Sequence, residues 1–161
     1  MESKAISDTG PVIHLNEINL TSALDIFSSI FIPLEVSHEL QKYKINLPKK
    51  IKVRELEGLS KDIVKILTNE YDLDIGESCA ISLALQEKAD YFLTDDLEAR
   101  ETAKKYKLEV HGTVGIILRA FKEKIIDRKT AITRINDLHE KSTLFITKDL
   151  IKNIIEAIES F

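Results

Sequence analysis

The chain has 161 residues, of which 43% are hydrophobic and 31% charged, with a formal net charge of -4. That length suits one domain with one buried core, and no apolar run approaches the roughly 20 residues that cross a bilayer. The negative balance speaks against gripping nucleic acid by broad neutralisation of its backbone, and leaves open contact through a cation held by clustered carboxylates.

In chain order, Lys4 to Ser7 reads as a short strand stopped by Asp8-Thr9-Gly10-Pro11, which puts Asp8 at a strand's carboxyl end. Val12 to Glu17 and Ala23 to Phe27 read as short helical pieces, and Ile30-Phe31-Ile32 as a strand closed by Pro33, a residue well placed to open a helix. From Leu34, Val36, Leu40 and Tyr43 recur at helical spacing and leave Glu35 and Glu39 off the buried stripe. Ile51 to Glu55 alternates like an edge strand, and Ser60 is the expected N-cap of a helix burying Ile63, Ile66 and Leu67. Tyr71 to Gly76 reads as a loop before a helix from Glu77 to Lys88, with Ala80, Ile81, Ala84 and Leu85 on its buried side.

Tyr91 to Thr94 is a buried-type strand followed by the pair Asp95-Asp96, then a helix from Leu97 to Tyr106. Leu108 to His111 is a further strand, Gly112-Thr113 a turn and N-cap, and Val114 to Lys124 the next helix. Two helices close the chain, one carrying Ala131, Ile132, Ile135 and Leu138, the other Leu150, Ile151, Ile154, Ile155 and Ile158. Alternating strands and helices imply an α/β fold, a three-layer α/β/α arrangement on a parallel sheet. One domain over residues 1–161 is expected, with a core of about 1–125 and C-terminal helices from about 126–161. The isoleucine-rich last helix either closes the monomer's core or, with exposed apolar surface near the early helices, forms a symmetric homodimer. The opening Met-Glu-Ser-Lys does not read as a secretory signal, and the single cysteine, Cys79, has no internal disulfide partner; both fit a cytoplasmic protein. Set among Ala80, Ile81, Leu83 and Ala84, Cys79 reads as a small buried hydrophobe.

In an open parallel sheet, ligands bind beyond the carboxyl ends of the strands, where strand order reverses. Two strands here end in acid, at Asp8 and at Asp95-Asp96, while Glu39 and Glu77 ride helices able to point at the same rim. Taken singly, each has an ordinary explanation as a turn former, cap or dipole complement. Together they predict crowded carboxylates, whose usual compensation is a hard cation with oxygen ligands, magnesium or manganese. His14, His38, His111 and His139 show no metal-ligand spacing and read as surface or packing residues.

The segments Ser7-Asp8-Thr9-Gly10-Pro11-Val12-Ile13, Val36-Ser37-His38-Glu39-Leu40, Gly76-Glu77-Ser78-Cys79-Ala80-Ile81 and Leu93-Thr94-Asp95-Asp96-Leu97-Glu98-Ala99-Arg100 resemble the PIN-domain family in order, spacing and flanks. The resemblance covers about the first 120 residues and is closest to a prokaryotic subgroup with an acidic pair, Ala-Arg and a Gly-Thr helix start. It implies a ribonuclease with Asp8, Glu39, Glu77 and Asp96 as catalytic acids and magnesium or manganese held by Asp8, Glu77, Asp95 and Asp96. Many family members are VapC-type toxins, often homodimeric and held inactive by a small antitoxin protein, so those partners are implied beside RNA. Two departures stand out: the third acid is Glu77 where the family usually has Asp, and Glu98-Ala99 replaces its acid-Phe pair.

The chemistry implied is metal-assisted hydrolysis of a phosphodiester, with Thr9 orienting a carboxylate or water and Arg100 holding a phosphate or bracing Asp96. A phosphate-accepting α/β domain is the first rival, but Asp8-Thr9-Gly10 lacks a second Asp two residues on, and no Lys-Pro stands at a late strand end. A PIN-like binding module of weak catalytic power is the second.

Overall fold

The computed structural model describes residues 2–161. Its elements run β1 (Lys4–Ser7), α1 (Thr9–Glu17), a 3₁₀ turn (Thr21–Ile26), β2 (Ser29–Ile32), α2 (Leu34–Lys42), β3 (Ile51–Val53), α3 (Leu59–Glu70) and α4 (Ile75–Gln86). They continue through β4 (Tyr91–Leu93), α5 (Leu97–Lys105), β5 (Glu109–His111), α6 (Thr113–Lys122), α7 (Arg128–Lys141) and α8 (Lys148–Ser160). The five strands pair in parallel in the order β3-β2-β1-β4-β5, and helices flank the sheet. Because the chain builds outward from β1 to β3 and then returns to the other side of β1, the strand order reverses between β1 and β4. The α/β reading therefore holds, and the crevice that such a sheet offers a ligand lies where β1 and β4 end.

The central strands carry the apolar load: Ala5, Ile6, Ile30, Ile32, Phe92 and Leu93 are all buried. Each large side chain of this kind contributes about 1.5–3 kcal/mol by leaving water. Against β1 lies α4, which buries Gly76 and the whole run Ser78 to Ala84 rather than one stripe. It is hemmed in by α2, α3 and α5 as well as the sheet, which explains why small residues alternate along it. Ser82 survives there because its hydroxyl donates to the Ser60 carbonyl at 2.6 Å.

Several boundaries differ from the expected ones, each for a local reason. Helix α1 starts at Thr9, not Val12, because the Asp8 carboxylate accepts from the Thr9 N–H and caps the helix at once; Pro11 falls in its first turn. The expected helix at Ala23 to Phe27 is instead the 3₁₀ turn. Ser60 does not cap α3 but lies inside it, after Gly58 at φ 46°, and Ile66 is 52% exposed. The loop expected to reach Gly76 stops at Asp74, whose side chain caps α4 two residues early. Tyr43, expected on the buried stripe of α2, is 60% exposed past the helix end. At the start of α6, Gly112 holds the cap position and Thr113 is already helical.

Five helices end alike, α1 on Asn19 at φ 54°, with the Leu20 N–H reaching back to the Leu15 carbonyl, and four on a lysine. Lys44, Lys88, Lys107 and Lys124, with φ between 51° and 64°, occupy the left-handed position past α2, α4, α5 and α6. In each, the following N–H (Ile45, Ala89, Leu108, Ile125) reaches back five residues to a helical carbonyl, which gives the chain a tight reversal. Past α6, α7 packs on it and α8 on α7, and Ile151, Ile154 and Ile158 are buried within this one chain. Three isoleucines of the final helix thus pack into the core of this chain. No helix among the described residues is long and apolar enough to cross a membrane.

Candidate active site

β1 and β4 deliver the first two acids side by side. The Asp8 N–H donates to the Leu93 carbonyl at 2.8 Å, so the sheet ladder runs up to the residue itself. One Asp8 oxygen, Oδ1, accepts from the Thr9 N–H at 2.8 Å; the other, Oδ2, accepts from the Thr94 hydroxyl at 3.0 Å. The same Thr94 oxygen accepts from the Asp96 N–H at 3.1 Å. Buried Thr94 thereby ties the carboxyl ends of both strands together and sets the positions of Asp8 and Asp96 relative to each other.

Asp96 caps α5, accepting from the Ala99 N–H at 2.8 Å. Glu39, on α2, receives the Thr9 hydroxyl at 2.8 Å, so Thr9 orients a carboxylate as expected. Glu77 stands in the first turn of α4 in a reciprocal capping box: its carboxylate accepts from the Asp74 N–H at 3.0 Å, and Asp74 accepts from the Glu77 N–H at 2.8 Å. Glu39 lies against this turn, its Oε2 3.4 Å from where a Cβ on Gly76 would stand, an ordinary contact distance. Asp8, Glu39, Asp74, Glu77, Asp95 and Asp96 line one open cavity of about 490 Å³, faced by Thr143, Leu144 and Phe145.

The electrostatics follow. Burial pushes the Asp8 carboxyl up to about 6, against the bonds from Thr9 and Thr94, with Asp74 and Glu39 adding repulsion. Glu77 is pushed up to about 7, first by burial and then by the charges of Asp74, Asp96 and Asp8. Desolvation and like-charge crowding both disfavour the ionised cluster. Among the described residues, no three His, Cys, Asp or Glu side chains are drawn close enough to form a ready-made cation cage. Asp8, Glu77 and Asp96 each hold a backbone N–H instead.

Asp95, expected as a metal ligand, lines the cavity with both oxygens engaged elsewhere. Oδ1 accepts from the Thr113 N–H at 2.7 Å, and Oδ2 meets His14 Nδ1 at 2.6 Å and the Thr113 hydroxyl at 2.5 Å. Although burial alone would raise it, these partners hold its carboxyl below the usual carboxylate range. It joins α1, the end of β4 and the start of α6. His14 is therefore neither surface nor idle packing.

Arg100 does not brace Asp96. Its Nη2 lies 3.5 Å from the Thr94 carbonyl. His38 is exposed, His139 Nδ1 lies 3.0 Å from the Ile146 carbonyl, and His111 packs edge-on against Tyr91 at 5.0 Å between ring centroids. Cys79 is buried, its thiol pushed up to about 12 chiefly by desolvation, as an inert packing residue would be.

Asp74, Thr94 and His14 complete the site without having been singled out from sequence. Asp74 was readable, because Asp74-Ile75-Gly76-Glu77 has the spacing of a capping box. Nothing local announces His14, whose partner lies 81 residues away.

No curated protein matches this chain by sequence. Among solved structures, a PilT N-terminus domain protein, SSO1118, from the hyperthermophilic archaeon Sulfolobus solfataricus P2 is similar in fold: TM-score 0.54, 15% identity, covering 73% of this chain and 92% of that one. The profile of a family described as a PIN domain (DUF3368) matches residues 4–160. With that match spanning nearly its whole length, the chain belongs to the PIN-domain family.

Proposed function

We propose that this chain is a metal-dependent endoribonuclease acting at the cavity between the ends of β1 and β4. The observation that carries the reading is the pair Asp8 and Glu77, raised to about 6 and about 7 within one cavity that Asp96 and Glu39 also line. Carboxyls held so unfavourably mark functional sites, and a divalent cation is the ligand that would relieve them. The donor set fits magnesium or manganese: it is all oxygen and anionic, and includes no soft ligand. Asp8, Glu77 and Asp96 would hold the ion, which when bound would supply positive charge against a phosphate oxygen and acidify water.

The chain's own residues do the rest. Thr94 keeps Asp8 and Asp96 in register across the two strand ends, and Thr9 turns Glu39 toward the same rim. Asp8 and Glu77, raised to about 6 and about 7, would have to give up their protons to hold the ion, so metal affinity should rise with pH up to about 7. With the Asp95 oxygens held by His14 and Thr113, five other acids line the cavity; Asp74 caps α4, and Asp8, Glu39, Glu77 and Asp96 would serve this purpose.

The test is cleavage of single-stranded RNA with magnesium or manganese. Chelation abolishes it, and Asp8→Asn or Asp96→Asn lowers the rate on the order of a hundredfold or more in folded protein. Activity that persists in both variants, purified free of contaminating ribonuclease, removes the proposal. A binding module without useful activity is favoured only by the second employment of Glu77 and Asp96 as helix caps. Manganese titration separates the two, since saturable binding that Asp8→Asn abolishes belongs to the nuclease.

A further inference from the structure

The loop between α7 and α8 holds an aromatic ring in solvent beside the acidic cavity. Phe145 is 91% exposed, the most exposed large hydrophobic side chain among the described residues. Its loop is nonetheless pinned on both sides. The Thr143 N–H and hydroxyl both donate to Glu17 Oε1 at 2.9 Å, fastening the loop to the end of α1, and two residues after Thr143 comes Phe145, followed by buried Ile146. Leu144 packs against the core, and its N–H donates to the Ser142 hydroxyl at 3.2 Å. A ring presented at a fixed place, at the mouth of a site, without partners of its own, is a stacking surface.

Phe145 and Leu144 also border a second cavity, of about 480 Å³, on the other side. Its polar lining is Arg100, Asp95 and His111; the Asp95 oxygens are held by Thr113 and His14, and the Arg100 guanidinium lies within 4 Å of no carboxylate among the described residues. Gly112 makes the room: its backbone is ordinary, φ -93° and ψ -179°, but a Cβ there would sit 2.6 Å from Arg100 Nη2. Glycine is needed for space and not for conformation, and the space it leaves is filled by an unpaired cation. Two adjoining cavities thus share one aromatic partition, the first lined by acids and the second holding a free guanidinium.

We infer that Phe145 and Arg100 form a substrate subsite for single-stranded RNA, one nucleobase stacking on the Phe145 ring while a neighbouring phosphate meets Arg100. The inference rests on the nuclease reading and names how the strand lies across that site. The chemistry fits. Any base offers a face to an aromatic ring, stacking of this kind is sequence-tolerant, and guanidinium is suited to phosphate. A strand placed this way passes over the carboxylate cavity, with one phosphate meeting Arg100 in the cavity beside it. A duplex cannot offer an unstacked base, so the subsite selects single strands.

The experiment measures binding of a labelled eight-nucleotide RNA to the full chain in chelator, by anisotropy, alongside cleavage in magnesium. Phe145→Ala weakens binding roughly five- to a hundredfold, Phe145→Trp restores it, and substituting an abasic nucleotide at one position of the RNA removes the difference between wild type and Phe145→Ala. Arg100→Ala lowers affinity and flattens its salt dependence by about one phosphate contact. Circular dichroism checks that the variants keep their fold. If RNA is cleaved in a manner that needs Asp8 yet Phe145→Ala and Arg100→Ala bind and cut like wild type, the subsite is wrong and the nuclease reading stands. If wild type neither binds nor cuts RNA, both fall. If Phe145→Ala instead dissociates a dimer with RNA binding unchanged, the ring is a protein contact and the subsite is refuted.

Discussion

Replacing Asp8 by Asn in chelator-treated protein tests whether the site is strained by its own charge. Raising a carboxyl from 3.8 to about 6 makes its ionised form about 3 kcal/mol less favourable in the fold than in the unfolded chain. The direction follows from linkage: the group's contribution to stability is fully present below 3.8 and is lost as pH rises through about 6. Asparagine carries no charge at any of these pH values, so it escapes the loss. It also cannot accept from both Thr9 and Thr94 with its two terminal atoms, a penalty of about 1 kcal/mol that is the same at every pH. The difference between mutant and wild type should therefore shift in the mutant's favour by about 2 kcal/mol between pH 4.5 and pH 8. For a chain of this size that corresponds to about 4–8 °C in melting temperature. Urea melts of both proteins at several pH values measure it directly. Relief of Glu77, which Asp8 also repels, acts in the same direction. Magnesium should stabilise wild type more than the mutant and narrow the gap. Parallel pH curves for the two proteins would refute the claim that burial and crowding hold Asp8 above its ordinary value.

Thr94→Val should strip Asp8 Oδ2 and the Asp96 N–H of their shared partner, costing about 1–3 kcal/mol in a urea melt and lowering cleavage together with it. Gly112→Ala should cost about 1–3 kcal/mol, because Arg100 Nη2 and Asp95 Oδ1 stand 2.6 and 2.9 Å from the added carbon; a neutral result would show that both side chains move aside freely. Lys88→Gly should stabilise by up to about 1 kcal/mol by relieving a left-handed residue at φ 51°, and an unchanged midpoint would show that the lysine pays no such cost. Asp95→Asn should disturb the joint with His14 and Thr113 and so lower melting temperature, while leaving manganese affinity near that of wild type; a large loss of manganese binding would return Asp95 to the ligand set.

The parallel α/β fold was legible because each strand is a short apolar run broken by turn formers, and each helix has its own period. Asp8 and Asp96 were legible for the same reason, since acid at a strand's end is a local pattern that the sheet converts into a shared position. Asp95 misled. An acid beside Asp96 looks like a ligand until α1 and α6 are folded against it, and only then do His14 and Thr113 claim its oxygens. Local pattern also failed at Ser60, a good capping residue that lies inside α3 because the helix begins at Leu59, directly after Gly58. Phe145 carried no signal because an aromatic in a loop is unremarkable until the loop is seen tied to Glu17.

The lysines past the helices have a consequence for the molecule as a charged object. In a parallel sheet every helix returns to the edge where strands begin, so Lys44, Lys88, Lys107 and Lys124, all exposed, gather at the end opposite the carboxylates, with Lys4 at the start of β1 beside them. Glu87, Asp90, Glu109 and Glu123 stand among them, so lysines and acids are mixed at that end, whereas the cavity at the other end is lined by six acids and by no lysine or arginine. A polyanion should meet repulsion at that cavity while no cation fills it, which works against delivery of RNA to the site. Added salt, by screening that repulsion within about 10 Å, should speed productive encounter rather than slow it.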